Sequence, residues 1–82
     1  MQEKTSGGDE SPVQKICRVS GRIAPGGLGE VMVEIRGGSE AFLAQALNMH
    51  ETYERGERLL VVEYHPPRTV IVTRQNKGET IS

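Results

Sequence analysis

The feature of this sequence that most restricts its fold is a glycine-rich break between two segments of alternating polarity. Every second position in residues 17–23 and 31–35 is apolar or glycine, and the residues between them are mostly polar. A period of two is typical of a half-buried β-strand, because successive side chains point to opposite faces of a sheet. Between the segments lies Pro25-Gly26-Gly27-Leu28-Gly29, where proline fixes φ and glycine permits positive φ. The sequence therefore predicts two strands, over residues 16–23 and 30–36, that change direction at this turn.

The third segment, residues 39–48, follows directly after Gly37-Gly38, a pair typical of the two-residue turn of a tight hairpin. The hairpin favours a strand, and the propensities of residues 41–47 leave a helix of two turns as the alternative. In the strand interpretation, one face carries Phe42, Ala44 and Ala46.

Two further strands are predicted over residues 58–64 and 70–73, which are rich in aliphatic and β-branched side chains. Pro66-Pro67 marks the turn between them, because proline cannot donate a ladder hydrogen bond. Five short strands in about sixty residues predict an all-β domain, closed or nearly closed into a small barrel, since closure removes exposed strand edges. We place this domain at residues 13–74. The polar segments 1–12 and 75–82 are predicted to be a disordered linker or tag and a disordered tail.

Composition excludes several classes of protein. Ten basic and eleven acidic residues give a formal net charge of −1, so no long-range field attracts nucleic acid or an anionic membrane. Cys17 is the single cysteine, which rules out an intrachain disulfide and fits a reducing compartment. No apolar run approaches the roughly 18–20 residues that span a bilayer, and the first residues lack the apolar region of a signal peptide. We therefore expect a soluble chain.

No pattern in the sequence predicts catalysis, a metal site or a cofactor. The soft metal ligands Cys17, His50 and His65 do not form the paired spacings of a zinc site. A phosphate-binding loop would need a Gly-Lys-Ser/Thr ending and a helix after the glycine turn, and a predicted strand follows instead. General acid–base chemistry needs carboxylates that converge in a pocket. The glutamates are scattered over outward positions and loops: Glu30, Glu34, Glu40, Glu51, Glu54, Glu57 and Glu63.

The turn and its flanking strands carry a resemblance to a known family. The arrangement resembles the C-terminal domain of NfeD-like proteins, and it reads Gly21-x-Ile23-x-Pro25-Gly26-Gly27-x-Gly29-x-Val31-x-Val33. Weaker matches follow in order at Ala44, Gly56-x-x-Leu59-x-Val61-Val62 and Val70-x-Val72, so that the resemblance covers residues 16–74. The sequence departs from the family pattern at Gln45, where a basic residue is usual, and in a longer loop at residues 48–55.

The resemblance implies a five-stranded OB-like β-barrel on the cytosolic side of a membrane, attached to a small multi-helix membrane protein. It also implies work with stomatin/flotillin-like proteins that scaffold membrane microdomains. We accordingly predict a non-catalytic protein–protein interaction module. Its family-motif residues, expected to form a structural turn, are Gly21, Pro25, Gly26, Gly27 and Gly29. The candidate partner surface consists of apolar residues outside the core phase: Leu28, Met32, Leu60 and Ile71. For Leu60 and Ile71 the open alternative is a second small apolar cluster beneath the loop at residues 48–55.

The alternative prediction is an OB domain that binds single-stranded nucleic acid, a common function of the fold. That function stacks bases on aromatic rings along a basic groove. The sequence has only three aromatic residues, Phe42, Tyr53 and Tyr64. A small basic patch is conceivable at Arg18, Arg22 and Arg36, and a solvated barrel wall is the favoured interpretation of these arginines.

Overall fold

A computed structural model describes residues 11–35 and 37–75, and these residues form five β-strands in one closed barrel. The strands are β1 (Ile16–Gly21), β2 (Leu28–Ile35), β3 (Gly38–Ala46), β4 (Arg58–His65) and β5 (Thr69–Arg74). Their order around the barrel is β1-β2-β3-β5-β4, and β4 closes onto β1. β3 and β5 run parallel, whereas the other neighbours are antiparallel. The prediction of an all-β, five-stranded, OB-like barrel is confirmed.

The third segment is a strand from Gly38 to Ala46, and its last two predicted residues, 47 and 48, lie beyond the strand. β3 pairs with β2 from Gly38 to Gln45, and its buried side chains alternate with exposed ones. The face expected to turn inward does so, since Phe42, Ala44 and Ala46 are all buried. The helix alternative is therefore wrong, because the period-two burial of this segment and its pairing with β2 outweigh the helix propensity of its alanines and leucines.

Most strand limits differ from the sequence prediction by one or two residues. Ile35 pairs with Gly38, so Gly38 already belongs to β3 and only Gly37 of the predicted turn pair lies outside the strands. Gly37, with a φ of 80°, supplies the positive φ that such a tight turn needs. β1 ends at Gly21, and Ile23 instead forms an isolated bridge with Tyr53.

The barrel interior is filled by apolar side chains from all five strands and from the loop after β3. The core consists of Cys17, Val19, Ile23, Val31, Val33, Phe42, Ala44, Ala46, Tyr53, Leu59, Val61, Val70 and Val72. Tyr53 is the unexpected member, because the segment around it reads as a polar loop. Its hydroxyl donates a hydrogen bond to Glu51, and the Arg74 guanidinium lies 5.1 Å from the centre of its ring. Burial and the neighbouring Glu51 together raise the pKa of Tyr53 to about 12.

At the N-terminal side, Pro12 is buried. The Lys15 amide donates to the Pro12 carbonyl oxygen at 3.2 Å, and the Gln14 amide donates to that of Val61 at 2.7 Å. The predicted linker and tail lie outside the described residues apart from residues 11, 12 and 75. The domain limits 13–74 stay a prediction. Across residues 11–35 and 37–75 there is no helix long and apolar enough to cross a membrane.

Candidate functional site

The family-motif turn forms a corner where the chain leaves β1 and enters β2. The Gly27 amide donates to the Ala24 carbonyl oxygen at 2.9 Å, and β2 begins one residue later. Gly29 lies against the backbone that follows β1, since a Cβ at this position would sit 2.4 Å from the carbonyl oxygens of Gly21 and Arg22. At this corner Ile23 packs against Gly29 at the start of β2, and Ile23 is buried in the core. It leads into a strand, so it lacks the helix N-terminus of a phosphate-binding loop.

An apolar surface, which we call the leucine face, covers the outside of β2, β3 and β5. Its centre is Gln45, which pairs with Leu28 on one side and with Ile71 on the other. Leu43 lies two residues before Gln45, on the same side of β3, and Leu47 lies two residues after Gln45, just beyond the end of the strand. Leu28, Leu43 and Leu47 are 57%, 47% and 55% exposed, respectively. The leucine face therefore groups four aliphatic side chains around one amide.

The second surface, the arginine groove, lies farther along the same outer face of β2 and crosses β4, β1, β2 and β3. It has a volume of about 530 Å³. In its centre, Arg18 pairs with Met32 of β2 and with Arg58 of β4. The residues that line it are Ile16, Cys17, Arg18, Met32, Glu34, Ser39 and Arg58.

The four predicted partner-surface residues divide between these two surfaces. Leu28 and Ile71 belong to the leucine face, whereas Met32 lines the arginine groove. Leu60 is half-buried beside that groove, opposite Ile16. Sequence reasoning missed Leu43 and Leu47, although both alternate with the buried residues of β3 and could have been found from that phase. The four candidates do not form one patch.

Most charged side chains of the barrel wall are paired. Nε of Arg22 lies 3.2 Å from a carboxylate oxygen of Glu54, and Arg74 lies 3.8 Å from Glu51. The side chain of Arg18 forms neither an ion pair nor a hydrogen bond with any residue in 11–35 or 37–75. Of the arginines in the basic patch conceivable from the sequence, Arg22 is engaged with Glu54 and residue 36 lies outside the described residues, so the patch stays untested. The strand neighbour of Arg18 is Arg58 instead.

The aromatic rings are directed into the core rather than presented on the surface. Phe42 and Tyr53 are buried, and Tyr64 packs against the core with its ring centre 6.0 Å from that of Phe42. The Tyr64 hydroxyl donates to the Pro67 carbonyl oxygen at 3.1 Å. Stacking of nucleic-acid bases requires exposed ring faces. The three rings therefore offer no platform for the base stacking that the alternative prediction, binding of single-stranded nucleic acid, requires.

Cys17 is buried in the core, where its Sγ donates a hydrogen bond to the Leu59 carbonyl oxygen at 3.5 Å. Burial raises the pKa of the Cys17 thiol to about 11, so the nucleophilic thiolate is scarce at neutral pH. His50 and His65 are both exposed, and Nε2 of His65 lies 3.0 Å from Glu63. Within the part of the chain that the structure describes, no three or more histidine, cysteine or carboxylate side chains are grouped to hold a metal ion.

Comparison with known proteins places this barrel in a family. The family model described as the NfeD C-terminal domain matches residues 16–73, which include all five strands except the last residue of β5. The chain belongs to the NfeD C-terminal domain family. NfeD C-terminal domains are not known as enzymes. A search of the curated proteins finds no match.

Solved structures of NfeD-type domains have the same fold. The C-terminal domain of a stomatin operon partner protein from Pyrococcus horikoshii is 30% identical, with a TM-score of 0.63 over 85% of this chain and 97% of that one. The soluble domain of the NfeD protein YuaF from Bacillus subtilis is 24% identical, with a TM-score of 0.66 over 76% and 71%. A soluble domain from Corynebacterium glutamicum, of a membrane protein implicated in regulation of membrane protease activity, is 18% identical, with a TM-score of 0.60 over 79% and 94%.

Proposed function

We propose that this NfeD C-terminal domain is a non-catalytic protein-interaction module that works with a stomatin/flotillin-like scaffold protein. It would do so on the cytoplasmic side of a membrane, to which a segment outside residues 11–75 would attach it. The similarity to a domain named as a stomatin operon partner supports this choice of partner. The similarity to a soluble domain of a membrane protein supports the membrane attachment.

The observation that carries the proposal is the leucine face. Leu28, Leu43 and Leu47 leave about half of their side-chain surface in water, and Ile71 adds to the same patch. Aliphatic side chains that are grouped on a barrel wall and surrounded by polar residues are typical of a protein contact. Binding would remove this surface from water, which stabilises a complex by roughly 25 cal/mol per Å² of apolar area buried. Gln45, in the centre, can exchange hydrogen bonds with a partner's backbone.

The test measures binding of the 82-residue chain to a stomatin-like protein from the same genome by isothermal titration calorimetry. Leu28→Gln and Leu43→Gln each remove one aliphatic group from the leucine face, and we expect each to weaken binding by about tenfold. Met49→Gln is the matched control, because Met49 is 53% exposed and is not one of the four aliphatic residues of the leucine face. Equal binding by all three variants would contradict the assignment of the partner surface.

A random-sequence oligonucleotide at low salt tests the alternative function. Tight, salt-sensitive binding, which is typical of phosphate contacts, would contradict the scaffold proposal. A concentration-dependent dimer that Leu43→Gln dissociates would assign the leucine face to self-association instead of to a stomatin-like partner.

A further inference from the structure

The arginine groove has two rows of outward side chains that cross the strands. The first row is set by register: Arg58 pairs with Arg18, Arg18 with Met32, and Met32 with Ala41. Neighbouring strands lie about 4.8 Å apart, so Met32 is roughly 10 Å from Arg58 along the row. In the second row, Leu60 pairs with Ile16 and Glu34 pairs with Ser39. Across the two rows, the groove is therefore basic at Arg58 and Arg18, apolar in the middle at Ile16 and Met32, and acidic or polar at the far end, at Glu34 and Ser39.

The two arginines at the basic end are adjacent and unneutralised. Their positions are directly opposite each other on β1 and β4, and like charges in such cross-strand pairs destabilise a sheet. The side chains of Arg18 and Arg58 form no ion pair or hydrogen bond with another residue in 11–35 or 37–75. By contrast, Arg22, Arg68 and Arg74 each lie within 4.0 Å of a glutamate. The packing of the barrel gives no reason for the Arg18–Arg58 pair.

We propose that the arginine groove binds an acidic segment of a partner protein, with an aspartate or glutamate held between Arg18 and Arg58. Guanidinium groups fit carboxylates because both are planar and can form two parallel hydrogen bonds. The next apolar side chain of the segment would then rest on Ile16 and Met32, which line the middle of the groove. This site is separate from the leucine face, and the proposal stands without the assignment of a stomatin-like partner.

The far end of the groove favours a peptide over other anions. Glu34 lines the groove and has no ion pair with any described residue, so it would repel the successive charges of a polyphosphate or a nucleic-acid backbone. In a peptide, an amide or a basic side chain would instead donate to Glu34 or Ser39. Ile16 is 41% exposed, and contact with an apolar residue of the peptide would cover it.

The experiment follows backbone amide shifts of the ¹⁵N-labelled 82-residue chain during titration with a capped peptide, Ser-Asp-Asp-Leu-Thr-Lys. The control peptide carries asparagine in place of both aspartates. We expect the acidic peptide to shift the amides of Arg18, Met32 and Arg58, and this effect to shrink as added salt screens the charges. The asparagine peptide should leave these amides unmoved.

Protein variants then locate the contact. Arg18→Gln and Arg58→Gln should each weaken binding of the acidic peptide about tenfold, since each removes one charge-assisted hydrogen-bond donor group. Arg55→Gln is the matched control, because Arg55 is an exposed arginine outside the groove, also without an ion pair to a described residue. It should bind as the unaltered chain does. Amide spectra and melting temperatures establish that each variant is folded.

Several results would overturn the proposal. Equal binding of the aspartate and asparagine peptides would exclude recognition by charge, whatever the variants do. Shifts confined to the leucine face would place the peptide elsewhere. Tighter binding of inorganic phosphate or of oligothymidylate to Arg18 and Arg58 would identify the groove as a phosphate site. If the chain bound the acidic peptide but no stomatin-like protein, the proposed function would be contradicted and the proposal for the arginine groove would still stand.

Discussion

Substitution of Gly29 by alanine tests whether the corner between β1 and β2 depends on a close backbone approach. The new Cβ would sit 2.4 Å from two carbonyl oxygens, whereas ordinary contacts begin at 3.4 Å, so the backbone must move by about 1 Å. Neither oxygen belongs to a flexible side chain. Overpacking of this kind costs about 1–3 kcal/mol. The movement also strains the pairing of Gly21 with Glu30, where a lost hydrogen bond costs about 1 kcal/mol.

The opposing effect is small, because alanine reduces the entropy of the unfolded chain by the equivalent of about 0.4–1 kcal/mol. We therefore expect Gly29→Ala to lower the free energy of unfolding by about 1–3.5 kcal/mol. For a domain of this size each kcal/mol shifts the Tm by roughly 4–8 °C, which predicts a fall of about 5–25 °C. Thermal denaturation followed by far-ultraviolet circular dichroism measures this fall in Tm.

Gly27→Ala is the matched control in the same turn. A Cβ at Gly27 would meet only Ala24, with its nearest atom at 3.6 Å, which is an ordinary contact. Its free energy of unfolding should stay within about 1 kcal/mol of the unaltered chain. If the two variants had Tm values within about 3 °C of each other, the close approach at Gly29 would not be what restricts this position.

Three further predictions concern the core and the barrel wall. Tyr53→Ala should lower the free energy of unfolding by about 3–5 kcal/mol in urea denaturation, because it empties the space of a buried ring. Tyr53→Phe should lower the free energy of unfolding by only about 1 kcal/mol, because it loses only the hydrogen bond to Glu51. The folded-state pKa of Cys17, raised to about 11, lies above the ordinary value near 8.5, so the folded state binds the thiol proton more tightly. Its stabilising contribution is complete below about pH 8.5 and is lost as the pH rises towards 11. In denaturant titrations the free energy of unfolding should therefore fall between about pH 8.5 and 10, and it should fall less steeply in Cys17→Ala. An equal fall in both proteins would contradict this prediction. Arg58→Gln should raise the Tm at low salt by relieving repulsion from Arg18, worth about 0.2–1 kcal/mol, and a lowered Tm would show that the pair is stabilising.

The strands could be predicted from sequence because buried and more exposed positions alternate along the central part of each strand. In β2 the period-two pattern of Val31 and Val33 corresponds directly to buried positions, and in β3 the same period decided between strand and helix. Strand ends were predicted less well. β2 begins at Leu28, two residues before the pattern suggests, because pairing with β3 extends into the glycine turn.

Tyr53 could not be predicted as a core residue, because its segment has no period and its neighbours are polar. It is buried through long-range contacts, a bridge with Ile23 and the Arg74 guanidinium over its ring. The same limit applied to the candidate surface. Sequence identified Leu28 and Met32 as outward-facing, but only the register of neighbouring strands shows that they lie on different surfaces. Likewise, nothing in the chain order brings Arg58 beside Arg18.

The place of β5 in the barrel also determines when the domain can be completed during synthesis. β5 is the last strand in the chain, yet it lies between β3 and β4. Before residues 69–74 leave the ribosome, the earlier strands can form only an open sheet, with unpaired edges at β3 and β4. Such edges can pair with other nascent chains. The chain is therefore most exposed to aggregation in the interval between synthesis of β4 and release of β5, and a chaperone that covers strand edges would act in that interval.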